Sequence, residues 1–323
     1  MLARIAKELF WLGRYLARAE HTARMLDGIF HVNLQARAED QPGLPPSWDA
    51  LVTIMGLEEA ASDQPARPDE VVLRLTLDPD APASIRWCVT GARERARAVR
   101  DAISTDMWES VNTFYLELLN PDVRSVLESS PYLIYQRIKE RCVLFWGLAD
   151  ETMLRDEAHA FLMAGGRLES ADMVLRMLLM ALPEDPSARS PDRAALHVDG
   201  PALALLHAVG GAQAYRRAAH APATVLPVVR FLLFERHYPE SVTASLDALR
   251  DLLADADHEG RECPSALRLE RLSAELELRR RETGAAELAP TIELVQTELE
   301  RIDRDTAARY FARAQEGRQP SLT

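Results

Sequence analysis

Residues 3 to 30, ARIAKELFWLGRYLARAEHTARMLDGIF, place Ile5, Leu9, Leu12, Leu16, Ala23, Leu26 and Phe30 at the three- and four-residue spacing of one helical face. The stripe runs on to about Ala38, where the Pro and Gly residues of Gln41 to Pro46 stop it. Arg14, Arg18 and His21 fall opposite the stripe, with Glu20 and Arg24 to one side. Phe10, Trp11 and Met25 share that charged side. A helix apolar on both sides is covered on both sides, and arginines covered in this way need partners. Two readings stay open: a solvated face with ion pairs worth a few tenths of a kcal/mol each, or charges held at an interface or a site.

The same period recurs along the chain and β-branched alternation is nearly absent, so the fold class is all-α. Further helices are expected at 47 to 60, 69 to 77, 84 to 101, 104 to 119 and 131 to 155. Beyond them come 157 to 182, 200 to 219, 222 to 235, 241 to 256, 264 to 283 and 288 to 314. Loops are expected at Ser62 to Pro68, Asn120 to Pro131 and Pro183 to Arg193, and a disordered tail at Glu316 to Thr323.

The two halves match one another. Ala19-Glu20 with Arg24-Met25-Leu26 aligns with Ala171-Asp172 and Arg176-Met177-Leu178. Leu51-Val52 and Gly56 align with Leu205-Leu206 and Gly210. Pro82-Ala83-Ser84-Ile85, with Arg93 beyond it, aligns with Pro239-Glu240-Ser241-Val242 and Arg250. Three matches in order at a slowly drifting separation predict a helical bundle of two diverged tandem copies with approximate two-fold pseudo-symmetry. The copies are residues 1–156 and 157–314, the second packed on the first, followed by a tail at 315–323. The long helices near 1 to 39 and 157 to 182 then occupy equivalent central positions. Copy two keeps Glu169, Asp172 and Arg176, but has Gly166 and Ser170 where copy one has Arg14 and Arg18. An anion site would draw its cations from copy one, and copy two would supply only carboxylates.

With 323 residues and 47% hydrophobic content the chain can bury a large core without metal or disulfide staples. Cys88, Cys142 and Cys263 are odd in number and far apart, which suits a reducing compartment. A net charge of -12 opposes binding to DNA or RNA, whose affinity rests on basic charge that releases counterions. Arg4, Lys7 and Glu8 interrupt any signal-peptide core. The most apolar runs, Val174 to Leu182 and Val225 to Phe234, contain Arg176 and Arg230. Both fall short of the roughly 20 residues a membrane span needs. A cytoplasmic location without membrane contact is the expectation.

Arg93, Arg97 and Arg100 share a face that leads into Ser104, a helix N-cap with Asp106 and Glu109 near the positive end. Trp108 and Asn112 stand one turn apart, so the amide projects beside the aromatic ring. Asp156 and His159 share a helical spacing, but a di-metal bundle needs Glu-x-x-His on two helices and further carboxylates, and no second copy exists. No metal site is expected. Neither a phosphate-cradling glycine loop nor a nucleophile elbow is present, so the chain is expected to bind no nucleotide itself.

Leu9-Phe10-Trp11-Leu12-Gly13-Arg14-Tyr15, followed by Arg18-Ala19-Glu20 and Thr22-Ala23-Arg24, resembles the opening of the bacterial alpha-E family. Arg97 to Asn112, Gly147 to Glu157 and Phe231 to Ser241 resemble it as well, so the likeness covers the chain to about residue 312. Ala17 stands where the family has Glu, Arg95 where it has Asn, and Gly166 and Ser170 where it has arginines. The resemblance implies a helical protein found beside, or fused to, a circularly permuted ATP-grasp protein, often with a transglutaminase-like protein. It further implies ATP-dependent amide-bond formation on a peptide or amino-acid substrate, with ATP and Mg2+ bound by the partner. Arg14, Arg18, Glu20 and Arg24 would then position a carboxylate, a phosphorylated intermediate or an amine. Arg97, Arg100, Trp108, Asn112, Glu169, Asp172 and Arg176 would bind substrate or partner. The alternative is a non-catalytic helical adaptor that binds and stabilises those partners.

Overall fold

Side chains that satisfy the first free N–H groups of a helix set where several elements begin. Ser84 Oγ accepts from Trp87 N at 3.0 Å, Ser104 from Met107 N at 3.2 Å and Ser241 from Ala244 N at 3.1 Å. Asp156 accepts from Ala158 N at 2.9 Å. A computed structural model describes residues 1–38, 48–56, 67–182, 200–219, 221–257, 263–282 and 284–312. Among these residues the regular structure is entirely helical. In order they form α1 (Ala3–Ala38), α2 (Trp48–Ile54), α3 (Pro68–Leu77), α4 (Ile85–Ala98), α5 (Thr105–Leu118), α6 (Asp122–Ser129) and α7 (Pro131–Thr152). There follow α8 (Glu157–Ala181), α9 (Gly200–Ala208), α10 (Ala212–Ala218), α11 (Val225–Phe234), α12 (Val242–Asp255), α13 (Pro264–Glu282) and α14 (Leu288–Thr306). A π turn at Ala307–Phe311 continues α14.

Two expected boundaries differ for local reasons. The single helix expected at 200 to 219 breaks at Gly210, whose φ of +68° suits only a residue without Cβ. The stretch Asn120 to Pro131, expected as a loop, contains α6. Asn120 Oδ1 accepts from Asp122 N at 3.0 Å, Pro121 enters the first turn, and Leu127 is buried. Gly56, with φ +63°, ends α2 before the limit of 60 expected from sequence. The turn after α1, most of the loop expected at Ser62 to Pro68, the loop at Pro183 to Arg193 and the tail lie outside the described residues.

α1 and α8 pack on each other. α4, α7 and α9 also lie on α1, while α12 and α14 lie on α8. α5 bridges α4 and α7, and α13 bridges α12 and α14. One contiguous apolar core runs through both halves. Leu9, Leu12, Leu16 and Leu26 are fully buried, and so are Phe10 and Met25 on the opposite side of α1. The helix is covered on both sides. At the crossing, a Cβ on Gly13 would collide with the carbonyl oxygen of Leu162, and one on Gly165 with that of Phe10. The two backbones touch.

Ser84 and Ser241 each do a second job. Ser84 Oγ donates to the Asp78 carbonyl, and Ser241 Oγ donates to that of Glu235 at 2.6 Å. Both serines are fully buried and tie the preceding helix to the one they cap. Losing a cap costs about 1 kcal/mol, and a stranded buried carbonyl adds to it. Ser84→Ala and Ser241→Ala should each lower stability by about 1–2 kcal/mol in urea unfolding. A shift below ~0.3 kcal/mol for both would show that the caps carry none of it.

Candidate functional site

Glu169 sits on α8 with no exposed surface. Two cations from α1 meet it: Arg14 Nε donates to Oε2 at 2.8 Å and Arg18 Nε to Oε1 at 2.5 Å. Arg14 Nη1 also donates to Asp303 Oδ2 on α14 at 2.9 Å, and its guanidinium lies 4.7 Å from the Trp11 ring centroid. Both carboxylate oxygens are occupied, which is the condition for keeping a charge in a dry interior. Burial alone pushes the Glu169 carboxyl up, but the attraction of Arg14 and Arg18 outweighs it and holds the group below the ordinary glutamate range. The arginines expected to face a ligand therefore face a carboxylate of the same chain. Nearby, burial raises the Cys88 thiol to about 12, with Arg18 opposing, so it holds almost no thiolate at neutral pH.

Glu20 and Arg24 belong to a different place. Arg24 Nε and Nη2 donate to Glu20 Oε1 at 2.9 and 2.6 Å, and Trp146 Nε1 on α7 donates to Oε2 at 3.2 Å. This group lines a cleft of about 370 Å³ between α1, α7 and α8. His21, Asp150, Arg167 and Glu240 complete its polar wall. His21 is 3% exposed, its Nε2 is 3.6 Å from Glu240, and its Nδ1 has no hydrogen-bond partner. Arg167 lies 3.5 Å from the other oxygen of Glu240. Asp150 receives Arg155 Nη1 at 2.9 Å and is half exposed.

The other expected residues are dispersed. Asp172 pairs with Arg176 one turn on, at 2.9 Å, and burial together with the charge of Glu169 raises its carboxyl. Arg97 is exposed and pairs with Glu94 at 2.7 Å, as a solvated face does. Trp108 and Asn112 form a cluster around Arg93, whose Nε donates to Asn112 Oδ1 at 2.8 Å. Its guanidinium lies over Tyr115 and Trp108, and Arg100 covers Trp108 at 4.9 Å. None of these residues lines the cleft. Asp156 serves as the N-cap of α8, and among the described residues no group of three or more His, Cys, Asp or Glu is placed to hold a metal.

Sequence reading missed Trp146, Asp150, Arg167, Glu240 and Asp303. The i,i+4 spacing of Trp146 and Asp150 puts them on one face of α7, which was a usable signal. Nothing in the sequence linked Asp303 to Arg14. Among the described residues no helix is long and apolar enough to cross a membrane.

Residues 1–311 match a family described as a predicted alpha-helical domain with a conserved ER motif. Similar proteins occur in Mycobacterium bovis and in two strains of Mycobacterium tuberculosis, all uncharacterized and each 28% identical over 268 residues. The match takes in 78% of this chain but only 30% of each relative. No solved structure matches. The chain belongs to the alpha-E family.

Proposed function

We propose that this chain is the substrate-gathering helical subunit of an ATP-dependent amide-bond-forming system, and that its cleft holds the acceptor. The observation that carries the reading is the cleft itself. It has the volume of a small-ligand pocket and a wall of carboxylates, guanidiniums and a buried imidazole around Trp146. This reading assigns ATP and Mg2+ to the partner rather than to the described residues of this chain. The two arginines best placed to bind phosphate are taken up by Glu169, and no cluster of hard oxygen ligands lies among the described residues. A circularly permuted ATP-grasp partner would bind both and activate a carboxylate as an acyl phosphate. An amine held by this chain would then displace phosphate to form the amide. Relatives more than three times the length of the matched region support work alongside other domains, a transglutaminase-like one among the candidates.

The same reading takes the halves as diverged copies. It is supported by the reciprocal contacts of Gly13 with Leu162 and Gly165 with Phe10, and by the left-handed glycines Gly56 and Gly210. The bridging serines Ser84 and Ser241 add to that support.

Mixing the purified chain with the ATP-grasp partner, ATP, Mg2+ and candidate peptides, followed by mass spectrometry, tests the role. Amide product is expected only when both proteins are present. Equal product from the folded, soluble partner alone would overturn it. The adaptor reading rests on the exposed Leu116, Leu133, Val143 and Leu144 along α5 and α7, a surface suited to a protein partner. It predicts that the chain raises partner solubility and leaves turnover per folded partner unchanged.

A further inference from the structure

The closed triad and the open cleft occupy corresponding places on the two sides of the α1–α8 crossing. In the register set by Gly13 and Gly165, Arg14 corresponds to Gly166, Arg18 to Ser170 and Glu169 to Ala17. The first member of each pair builds the triad. The second members are all small, and all three line the cleft. Asp303, which takes Nη1 of Arg14, also has a counterpart. The buried Cys142 and Ala149 of α7 fall in register with the buried Val295 and Ile302 of α14, which sets Asp150 against Asp303. Asp150 too lines the cleft. The cleft is thus a triad site without its two guanidiniums and central carboxylate, but with its outer carboxylate kept.

We propose that this cleft binds a guanidinium group, supplied by free arginine or by an arginine side chain of a peptide. The proposal rests on the reading of the halves as copies and names the acceptor class for the proposed subunit. Asp150 and Glu240 receive the guanidinium, as Asp303 and Glu169 receive that of Arg14. Each wall carboxylate already carries one arginine, Arg24 on Glu20, Arg155 on Asp150 and Arg167 on Glu240, so a ligand guanidinium takes a second place on Asp150 and Glu240, as Arg14 and Arg18 share Glu169. Trp146 leans over Gly166, its ring 2.8 Å from where a Cβ would be, and gives the cation an aromatic wall, as Trp11 does for Arg14. Buried His21 also lines the cleft, with its Nε2 3.6 Å from Glu240.

The test is calorimetric titration of the full chain with arginine, with a doubly blocked arginine peptide, and with citrulline, which has the same shape without the charge. Arginine is expected to bind at least tenfold tighter than citrulline. Binding of the blocked peptide assigns recognition to the side chain, and binding of free arginine alone adds a requirement for the α-groups; both support the proposal. Asp150→Asn, at a half-exposed position, should weaken arginine tenfold to a hundredfold without lowering the melting temperature. Ser170→Arg should fill the cleft with its own guanidinium and abolish binding. Equal binding of arginine and citrulline, or no arginine binding at about 10 mM, a Kd where binding free energy is only a few kcal/mol, overturns the proposal. Its failure is separable from that of the subunit role: a chain required for amide formation that ignores arginine sinks only the ligand. A chain that binds arginine yet is dispensable for turnover sinks only the role.

Discussion

Glu169→Ala is expected to destabilise the protein by about 3–5 kcal/mol, because it leaves two guanidiniums in a dry interior without their shared counter-charge. Neither cation can escape to water at small cost. The side chain of Arg14 is 11% exposed and that of Arg18 22%; Arg14 also donates to a second carboxylate, Asp303, whereas Asp172 acts on Arg18 only through its charge. Arg18→Ala should therefore cost less than Glu169→Ala, since the remaining pair of Arg14 and Glu169 still balances. The triad also sets an acid limit. The Glu169 carboxyl is held below the unfolded value of about 4.3. It contributes stability that is fully present above that value and is lost as pH falls through the lower folded one. In Glu169→Gln this part of the acid dependence should vanish, so the difference from the unaltered protein narrows between pH 7 and pH 3. Urea unfolding at both pH values measures it. A Glu169→Ala protein within ~1 kcal/mol of the parent at pH 7 would show that the triad is not a structural element. Because Arg14 and Arg18 hold the fold together, activity lost in their variants counts as functional only per folded molecule.

The sequence exposed the elements well and their neighbours poorly. Leu9, Leu12, Leu16 and Leu26 announce the buried face of α1 because helical period is local information. Phe10 and Met25 among the charges announced that the second face is covered too. What covers it was not legible. The match of Glu169 to Arg14 and Arg18 depends on how α8 crosses α1, and that register is set by two glycines, Gly13 and Gly165, whose meaning appears only when the backbones touch. The cleft was hidden for a related reason. Gly166, Ser170 and Ala17 read in sequence as lost charges, whereas in space they are room. Arg97 and Arg100 looked like a basic surface. Arg93, one turn before Arg97 on the same face, is the arginine that reaches Asn112 and Trp108 on α5, and Arg100 joins it over the Trp108 ring.

The touching backbones lead to the second large effect. In an ordinary helix Gly→Ala stabilises by up to about 1 kcal/mol, since glycine spends more backbone entropy on folding. At Gly13 and Gly165 the sign should reverse. Each new Cβ would meet a backbone carbonyl of the opposite helix, which is pinned in its own hydrogen-bond ladder and cannot rotate aside as a side chain would. Relief requires α1 and α8 to separate, and the fully buried Leu9, Leu12 and Leu162 around the crossing would then lose close packing. Overpacking of this kind costs about 1–3 kcal/mol for one methyl, and more for a branched side chain, so Gly165→Val should fall at or beyond the upper end. Gly13→Ala and Gly165→Ala should cost similar amounts, because each glycine accommodates the other helix. Gly147 is the control: it lies in α7, and a Cβ there meets nothing within 4 Å. Gly147→Ala should leave stability unchanged or slightly raised. The separation would also draw Arg14 and Arg18 away from Glu169, so Gly165→Ala combined with Glu169→Ala should lose less than the two separate losses together. A Gly165→Ala protein that unfolds at the same urea concentration as the parent would show that the helices do not cross at this spacing.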